Sequence, residues 1–200
     1  MQLKKISVLA IVMPGITIPK QSITSPPEII RQSPDAAPDL STLSGLAEAQ
    51  HIPLIRSLNF ADQALIHQLS DLNADLFLLA CFPLKLSEKL WRMPDTACWN
   101  LHPSLLPAYR GPNPIHWQLE NNERNTGVTL HEVTETIDAG NIIAQKPASL
   151  PADTSASSLN NWIAEHGTDI FIRAFQQHQS GNLKPRQQEE AQASYFPNAN

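Results

Sequence analysis

The chain has 200 residues, of which 42% are hydrophobic and 16% are charged. This length and balance are typical of a globular protein with one sizeable core, and they exclude a chain that is disordered throughout. The net charge of -5 and the pI of about 5.8 argue against a protein that binds nucleic acid through a broad basic face.

The sequence also bears on cellular location. No stretch reaches the roughly 18 to 20 apolar residues that a membrane-spanning helix needs, so no membrane association is expected. The N-terminus carries two lysines before an apolar run, but no small-residue cleavage pattern follows, which favours a buried strand over a signal peptide. Cys81 and Cys98 form no CxxC pair, so buried thiols in a reducing compartment are expected. We therefore expect a cytoplasmic protein without a metal site.

The predicted elements alternate between strands and helices along the chain. The first half is expected to contain a strand over 6–13, an irregular proline-rich loop over 14–39, a helix that begins at Asp39, a strand over 52–55, a helix over 60–72, a strand over 76–81 and a helix over 86–91. The second half is expected to contain a strand over 97–101, a loop over 102–112, a helix over 113–120, strands over 127–133 and 141–145, and a helix from Asp153-Thr154 to about residue 177.

This alternation predicts an α/β fold with a mainly parallel, Rossmann-like sheet flanked by helices. We assign residues 1–180 to one domain, with the 14–39 loop inside it, and residues 181–200 to a polar C-terminal tail. The sequence contains neither GxGxxG nor GxxxxGK[ST], and its seven glycines argue against a glycine-rich phosphate-binding loop.

A pair of polar residues stands at the end of the predicted 97–101 strand. Side chains alternate across a strand, so Asn100 and His102 share one face while Trp99 and Leu101 share the other. Ligands of open α/β sheets bind at the carboxyl ends of strands, where this pair lies. An isolated Asn-x-His at such a position is more often engaged in ordinary hydrogen bonds to a loop, and Pro103 ends the strand ladder immediately afterwards.

A third polar residue, Asp138, has two interpretations. Asp138-Ala139-Gly140 lies between two predicted strands and is a good turn sequence, in which Gly140 could take a positive φ. The second interpretation, implied by the family resemblance described next, is a carboxylate that moves protons beside Asn100 and His102. Both roles can hold together.

These segments together resemble the signature of the folate-dependent formyltransferases. The resemblance is carried by Asn100-Leu101-His102-Pro103-Ser104-Leu105-Leu106-Pro107 with Arg110-Gly111, by Thr126-Gly127-Val128-Thr129-Leu130-His131, and by Ile137-Asp138-Ala139-Gly140-Asn141. It implies a formyltransferase catalytic domain over residues 1–180 that lacks the first strand-helix unit of the family fold. It further implies a formyl donor, 10-formyltetrahydrofolate, and chemistry that needs no metal.

The resemblance implies roles for the polar residues. Asn100 and His102 would stabilise charge that develops on the formyl oxygen, and Asp138 would help to move protons and support His102 as a cation. His131 and Ser104 are expected to support the site, although His131 could equally be a partly exposed strand residue and Ser104 could simply turn the loop. The Leu106–Pro107 peptide is expected to be cis.

The resemblance also implies where the folate and the acceptor bind. Phe82, Leu84 and Leu86 would hold one side of the pterin ring, with the backbone of Leu84 and Leu86 on its polar edge. The segment Glu135-Thr136-Ile137 would close the other side. Tyr109 and Arg110 are candidates for contacts to an anionic acceptor, or else Arg110 caps a surface loop.

The sequence leaves more than one acceptor possible. A small metabolite amine or an amino sugar is favoured over methionyl-tRNA, because the 14–39 loop carries only Lys20 and Arg31 against three acidic residues. The same residues would also suit a non-catalytic folate-binding paralogue or a 10-formyltetrahydrofolate hydrolase. A shortened fold would expose a sheet edge, and a homodimer could cover it.

Overall fold

The computed structural model describes residues 6–14, 28–29, 42–57, 59–80, 82 and 84–198. They divide into two compact units, one within residues 5–74 and the other within residues 75–200. The predicted α/β class, with strands flanked by helices, is confirmed. Among the described segments, no helix is both long enough and apolar enough to cross a membrane.

The unit within residues 5–74 is built around a three-stranded sheet. Its elements are β1 (Ile11–Pro14), β2 (Glu28–Ile29), α1 (Leu43–Ala49), β3 (Leu54–Ser57) and α2 (Gln63–Asp71). The central strand β3 pairs in parallel with β1 and antiparallel with β2. Side-chain oxygens of Thr42 and Asp62 accept hydrogen bonds from the first turns of α1 and α2, and so fix where these helices begin.

Several predictions for this part of the chain need correction. The first strand begins at Ile11 rather than at residue 6, and β2 lies inside the 14–39 segment that we expected to be irregular throughout. Pro14 ends β1, and residues 15–27 and 30–39, which include the predicted cap Asp39, lie outside the described residues, as do Leu40 and Cys81. Thr42 is the cap of α1, because its hydroxyl oxygen is 3.0 Å from the Gly45 amide nitrogen.

The unit within residues 75–200 contains a four-stranded sheet. Its strands are β4 (Leu76–Ala80), β5 (Ala97–His102), β6 (Asn125–Glu132) and β7 (Ile142–Ser149), in that spatial order. The β4–β5 pair is parallel, whereas the β5–β6 and β6–β7 pairs are antiparallel. Its helices are α3 (Glu88–Trp91), α4 (Pro114–Glu120) and α5 (Ala156–Gln179), with a 3-10 turn at Glu190–Gln192.

Helix α5 packs on one face of this sheet and leaves the other face of β5 for the polar residues. Trp99 and Leu101 of β5 join Leu130 of β6 in the core, where they meet apolar side chains of α5. A Cβ at Gly167 of α5 would lie 3.3 Å from the Leu101 side chain, so the small residue allows a close approach. Burial of each large apolar side chain contributes about 1.5–3 kcal/mol, which fixes the orientation of β5 and so of Asn100 and His102.

The segment after Gly181 is packed against this unit, which differs from the polar tail that we predicted. Arg186 exchanges two backbone hydrogen bonds with Ile142, both of 2.8 Å. Further along, Ser194 and Phe196 bond to the backbone of Arg110. The polar composition did not predict these contacts, because they are backbone hydrogen bonds to residues far away in the sequence.

Candidate active site

Strand β5 brings the first two polar residues to one cleft. Asn100 and His102 line a cavity of ≈ 520 Å³, and the intervening Leu101 belongs to the core on the other side of the sheet. The antiparallel register places Asn100 directly opposite His131 of β6. Residues that face each other across an antiparallel pair lie within side-chain reach, and His131 also lines the cavity.

The His102 ring is almost fully buried and held in one orientation. Its Nε2–H donates to the carbonyl oxygen of Tyr109 at 2.8 Å, and its Nδ1 lies 3.6 Å from Oδ2 of Asp138. Since Nε2 carries the proton, the lone pair of Nδ1 faces the carboxylate. Burial lowers the pKa of His102 although the Asp138 charge acts to raise it. The ring is therefore neutral at neutral pH, with a site for one proton at Nδ1.

Asp138 lies in the connection between β6 and β7 with a left-handed backbone, φ 53°. Its Oδ2 accepts a 2.9 Å hydrogen bond from the Gly111 N–H, and its Oδ1 is 3.5 Å from Nε2 of His131. Burial acts to raise the pKa of Asp138, but a hydrogen bond from protonated His131, the charge of protonated His102 and the Gly111 N–H outweigh it. The pKa of Asp138 therefore lies below its ordinary value and the group is ionised.

His131 joins Asn100 to Asp138. Its Nδ1–H donates to the Glu132 carbonyl oxygen at 2.8 Å, so that Nε2 is the acceptor for the Asn100 amide at 3.1 Å. The Asn100 Nδ2 has two protons, and this contact uses one of them. The second N–H is left for a group in the cleft.

The turn interpretation of Asp138-Ala139-Gly140 is right about a turn and wrong about the glycine. The left-handed residue is Asp138, whereas among the glycines that the structure describes only Gly111 and Gly181 have a positive φ. Gly140 is required by crowding, because a Cβ there would lie 1.9 Å from the Glu132 carbonyl oxygen.

Both apolar and polar side chains line the cavity. Leu79, Phe82, Leu84, Leu86 and Ile137 supply apolar walls beside the four polar residues. A separate set with neutral or weakly basic polar side chains lines the cavity as well: Asn113, His116, Tyr195 and Asn198. Four of the predicted folate-binding residues, namely Phe82, Leu84, Leu86 and Ile137, thus lie on one cleft. Glu135 and Thr136 instead line a neighbouring cavity of ≈ 530 Å³, which shares Lys85, Ile137 and Tyr195 with the first.

Arg110 and Tyr109, the candidates for acceptor contacts, have side chains that bond within the protein, although Arg110 also lines the neighbouring cavity. The Arg110 guanidinium is buried and donates to Oε1 of Gln188 and to the carboxylate of Glu190. The Tyr109 hydroxyl donates to Glu123, and its ring stacks on Phe196 with centroids 4.8 Å apart. Both side chains are engaged within the protein, and Tyr109 contributes to the site through its carbonyl oxygen.

Ser104 shapes the loop that follows β5. Its hydroxyl donates to the Ala108 carbonyl oxygen at 2.7 Å, and its own carbonyl accepts from the Thr129 hydroxyl at 2.6 Å. The predicted cis peptide is present between Leu106 and Pro107 in the same loop. Ser104 is fully buried in these contacts, which corresponds to a turn-forming role.

Sequence reasoning missed three contributors to the site. They are the Tyr109 carbonyl, the Gly111 N–H and the side chain of Gln188, which donates to the carbonyl oxygens of Asp138 and Gly140. The Arg110-Gly111 pair within the motif was a signal for a special backbone position. Gln188 had no local signal, because its partners lie about 50 residues away.

Comparison with known proteins gives concordant results. The formyl transferase family profile matches residues 22–175. Methionyl-tRNA formyltransferase of Thermotoga maritima is 31% identical over 155 residues, which cover 78% of this chain and 50% of that protein. The chain thus spans about half the length of the curated relatives it matches.

Two solved structures share the fold. HypX from Aquifex aeolicus, in complex with tetrahydrofolic acid, has a TM-score of 0.64 and 21% identity over 76% of this chain and 26% of that one. An N-formyltransferase from Helicobacter canadensis, in complex with folinic acid and dTDP-3-aminofucose, has a TM-score of 0.56 and 25% identity over 78% of this chain and 54% of that one. With the profile match over more than half of its length, this chain belongs to the formyl transferase family.

Proposed function

We propose that this chain transfers a formyl group from 10-formyltetrahydrofolate to the amino group of a small acceptor, such as an amino sugar. The observation that carries the proposal is the convergence of Asn100, His102 and Asp138 on one cavity. A neutral donor, a proton-accepting ring and an ionised carboxylate are the groups that acyl transfer to an amine needs.

The cavity fits a folate-sized donor. Its volume of ≈ 520 Å³ falls within the roughly 300–1,000 Å³ usual for small-molecule sites. Phe82, Leu86 and Ile137 would hold the flat ring between apolar surfaces. The folate supplies a formyl carbon bonded to nitrogen. Support for this donor comes from the family and from the folate ligands of HypX and the Helicobacter canadensis enzyme.

Asn100 would act on the formyl oxygen. Its second N–H is not used by His131 and can donate to an oxygen that gains negative charge as the amine attacks. Because His131 and β5 hold this amide in place before the reaction, no reorganisation is needed at that moment. Donors of this kind are commonly worth about 3–4 kcal/mol of barrier.

His102 and Asp138 would move the proton. The Tyr109 carbonyl keeps the proton of the neutral ring on Nε2, so Nδ1 can take one from the attacking amine. The Asp138 carboxylate, 3.6 Å away, would stabilise the resulting imidazolium. As the new carbon–nitrogen bond forms and the bond from the formyl carbon to the folate nitrogen breaks, this proton is delivered to that nitrogen, so the transfer is balanced.

Charge favours a small acceptor. Residues 75–200 contain nine Lys and Arg against thirteen Asp and Glu, and phosphate backbones are generally bound by several cations. The cavity lining also offers Asn113, His116, Tyr195 and Asn198, which suit the hydroxyl groups of a sugar. The Helicobacter canadensis N-formyltransferase, with its bound dTDP-3-aminofucose, supports this class.

Methionyl-tRNA is the second candidate acceptor. It is favoured by the curated relatives, several of which are methionyl-tRNA formyltransferases at 30–32% identity. The chemistry at Asn100, His102 and Asp138 would be the same, and the difference would lie in the surface that binds the acceptor.

The two acceptors can be separated in one experiment. Purified protein would be mixed with 10-formyltetrahydrofolate and, in parallel, with nucleotide-linked amino sugars, simple amines or methionyl-tRNA, and the products analysed by mass spectrometry. We expect a formylated sugar amine from the wild type and none from Asp138→Asn. Formylation of methionyl-tRNA alone, with a rate that falls steeply with salt, would replace the first acceptor by the second. Absence of any formylated product with every acceptor would reject the proposed activity.

A further inference from the structure

Gln188 is a buried polar residue that the chemistry described above does not use. Its side chain is only 4% exposed. Its Nε2 donates to the carbonyl oxygens of Asp138 and Gly140, both at 2.7 Å. Its Oε1 accepts from Nε and Nη2 of Arg110, at 3.1 and 2.7 Å. Both amide protons and both oxygen lone pairs therefore have partners.

These four contacts define which end of the amide faces which partner. A carbonyl oxygen only accepts and a guanidinium only donates, so rotation of the amide by 180° would set like groups against each other on both sides. Gln188 consequently acts as a bridge of fixed polarity between the turn after β6 and the loop after β5. Glutamate could serve the Arg110 side of this bridge but not the Asp138 side.

The Gln188 bridge connects the two segments that also meet through the hydrogen bond between Gly111 and Asp138. Arg110 precedes Gly111, whose N–H donates to Oδ2 of Asp138 at 2.9 Å. Gln188 thus holds the backbone of Asp138 from one side and the segment that binds its carboxylate from the other. Asp138 has a left-handed backbone, φ 53°, which is uncommon for a residue with a Cβ and is kept where surrounding contacts support it.

The chain on either side of Gln188 is anchored independently. Arg186 pairs with Ile142 at the start of β7, and Arg110 is bonded through its backbone to Ser194 and Phe196. Loss of the Gln188 side chain would therefore leave the path of the chain in place and remove chiefly the restraint on the Asp138 turn.

We infer that Gln188 is a positioning residue for the reaction. It holds the Asp138 carboxylate beside Nδ1 of His102. The expected loss of rate rests on the proposed function, whereas the expected displacement of Asp138 rests on the hydrogen bonds alone. A carboxylate displaced by about 1 Å can reduce a rate up to about 100-fold.

The test compares Gln188→Leu with Gln187→Leu, a matched control at the exposed neighbouring position. Two quantities would be measured on each protein: kcat and KM for 10-formyltetrahydrofolate, and the titration of the His102 ring by NMR of ¹⁵N-labelled histidine. We expect Gln188→Leu to lower kcat about 10- to 100-fold with KM changed less than about twofold. Its His102 pKa should fall further, as in Asp138→Asn, because the nearby carboxylate no longer raises it.

A second variant distinguishes a loss of positioning from a general loss of stability. Gln188→Glu keeps an acceptor for Arg110 and loses both donors to the Asp138 turn, so it should melt cooperatively and still lose kcat. Wild-type kcat in Gln188→Glu, or a wild-type His102 titration in Gln188→Leu, would overturn the inference. Failure of both variants to fold would overturn it too, since Gln188 would then serve the fold. If the wild type proves inactive, the NMR titration still decides the positioning role separately from the proposed function.

Discussion

The Nδ1 atom of His102 lies 3.6 Å from Oδ2 of Asp138, and both side chains are almost completely buried. His102 is the last residue of β5 and Asp138 lies in the turn between β6 and β7, so the sheet itself creates this pair. With the ring proton on Nε2, two acceptor atoms face each other. The arrangement holds a position for one more proton, which is what an amine must lose when it attacks a formyl carbon.

Removal of the His102 ring should abolish most of the activity. We predict that His102→Ala lowers kcat by about 100-fold or more, because the group that accepts the proton of the attacking amine is lost. His67→Ala, at an exposed position on α2, should behave as wild type. Steady-state formyl transfer measures both, and equal rates in the wild type and His102→Ala would remove His102 from the mechanism.

The free energy of unfolding should decrease in mild acid because the buried His102 ring resists protonation. Burial lowers the pKa of His102 in the folded protein, while the unfolded chain protonates near its ordinary value of about 6.5. The unfolded state therefore binds the extra proton first. The contribution of His102 to stability is fully present above about pH 6.5 and is lost as the pH falls towards the folded pKa, with a slope of at most about 1.4 kcal/mol per pH unit.

The pH dependence can be measured by urea unfolding of the wild type and of His102→Gln. The measurement would be repeated between pH 7.5 and 5 in steps of about 0.5 pH unit. The free energy of unfolding of the variant should depend less steeply on pH. A steeper dependence in the variant would mean that the folded protein raises the pKa of His102.

Gly111 should tolerate no side chain. Its φ is 114°, and a Cβ would lie 2.0 Å from the Phe196 carbonyl oxygen, so backbone must move. We predict that Gly111→Ala lowers the free energy of unfolding by about 1–3 kcal/mol and weakens the contact with Asp138. Gly181→Ala has a φ of 70° and no heavy atom within 4 Å of the added Cβ, so it should cost only the backbone strain of about 1 kcal/mol. Equal losses in urea unfolding would contradict the crowding at Gly111.

Cys98 should be inert in the folded protein. Burial raises the pKa of its thiol to about 12, so that the reactive thiolate is scarce at pH 8. Peptide-resolved mass spectrometry after treatment with iodoacetamide should show no labelling of Cys98 until urea unfolds the chain. Labelling at the rate of the unfolded protein under native conditions would show that β5 opens to solvent.

The sequence predicts the part of the site that depends on strand periodicity. Asn100 and His102 could be assigned to one face because alternate residues of a strand point the same way, and the structure has both on the cleft. Asp138 could be reached only through the family resemblance, since its local sequence indicates no more than a turn. Its left-handed backbone and the role of Gly140 depend on tertiary crowding, which no local pattern carries.

Long-range polar contacts account for most of what could not be predicted. Arg110 was expected either to contact an acceptor or to cap a surface loop, whereas its guanidinium donates to Gln188 and Glu190, about 80 positions later in the chain. The segment that contains them was classified as a polar tail because it is polar and has no strong pattern of a helix or strand. Burial of Gln188 could not be predicted, because the carbonyl groups that its amide serves belong to the Asp138 turn about 50 positions earlier.

The most direct test of the account is the rate at which 10-formyltetrahydrofolate loses its formyl group in the presence of acceptor. The rate would be followed by absorbance in a single turnover, with the wild type, Asp138→Asn and Asp169→Asn, the last at an exposed position on α5. We predict rapid transfer by the wild type and Asp169→Asn and a fall of about 100-fold or more in Asp138→Asn. Equal rates for all three proteins would contradict the claim that the Asp138 carboxylate serves the reaction beside His102.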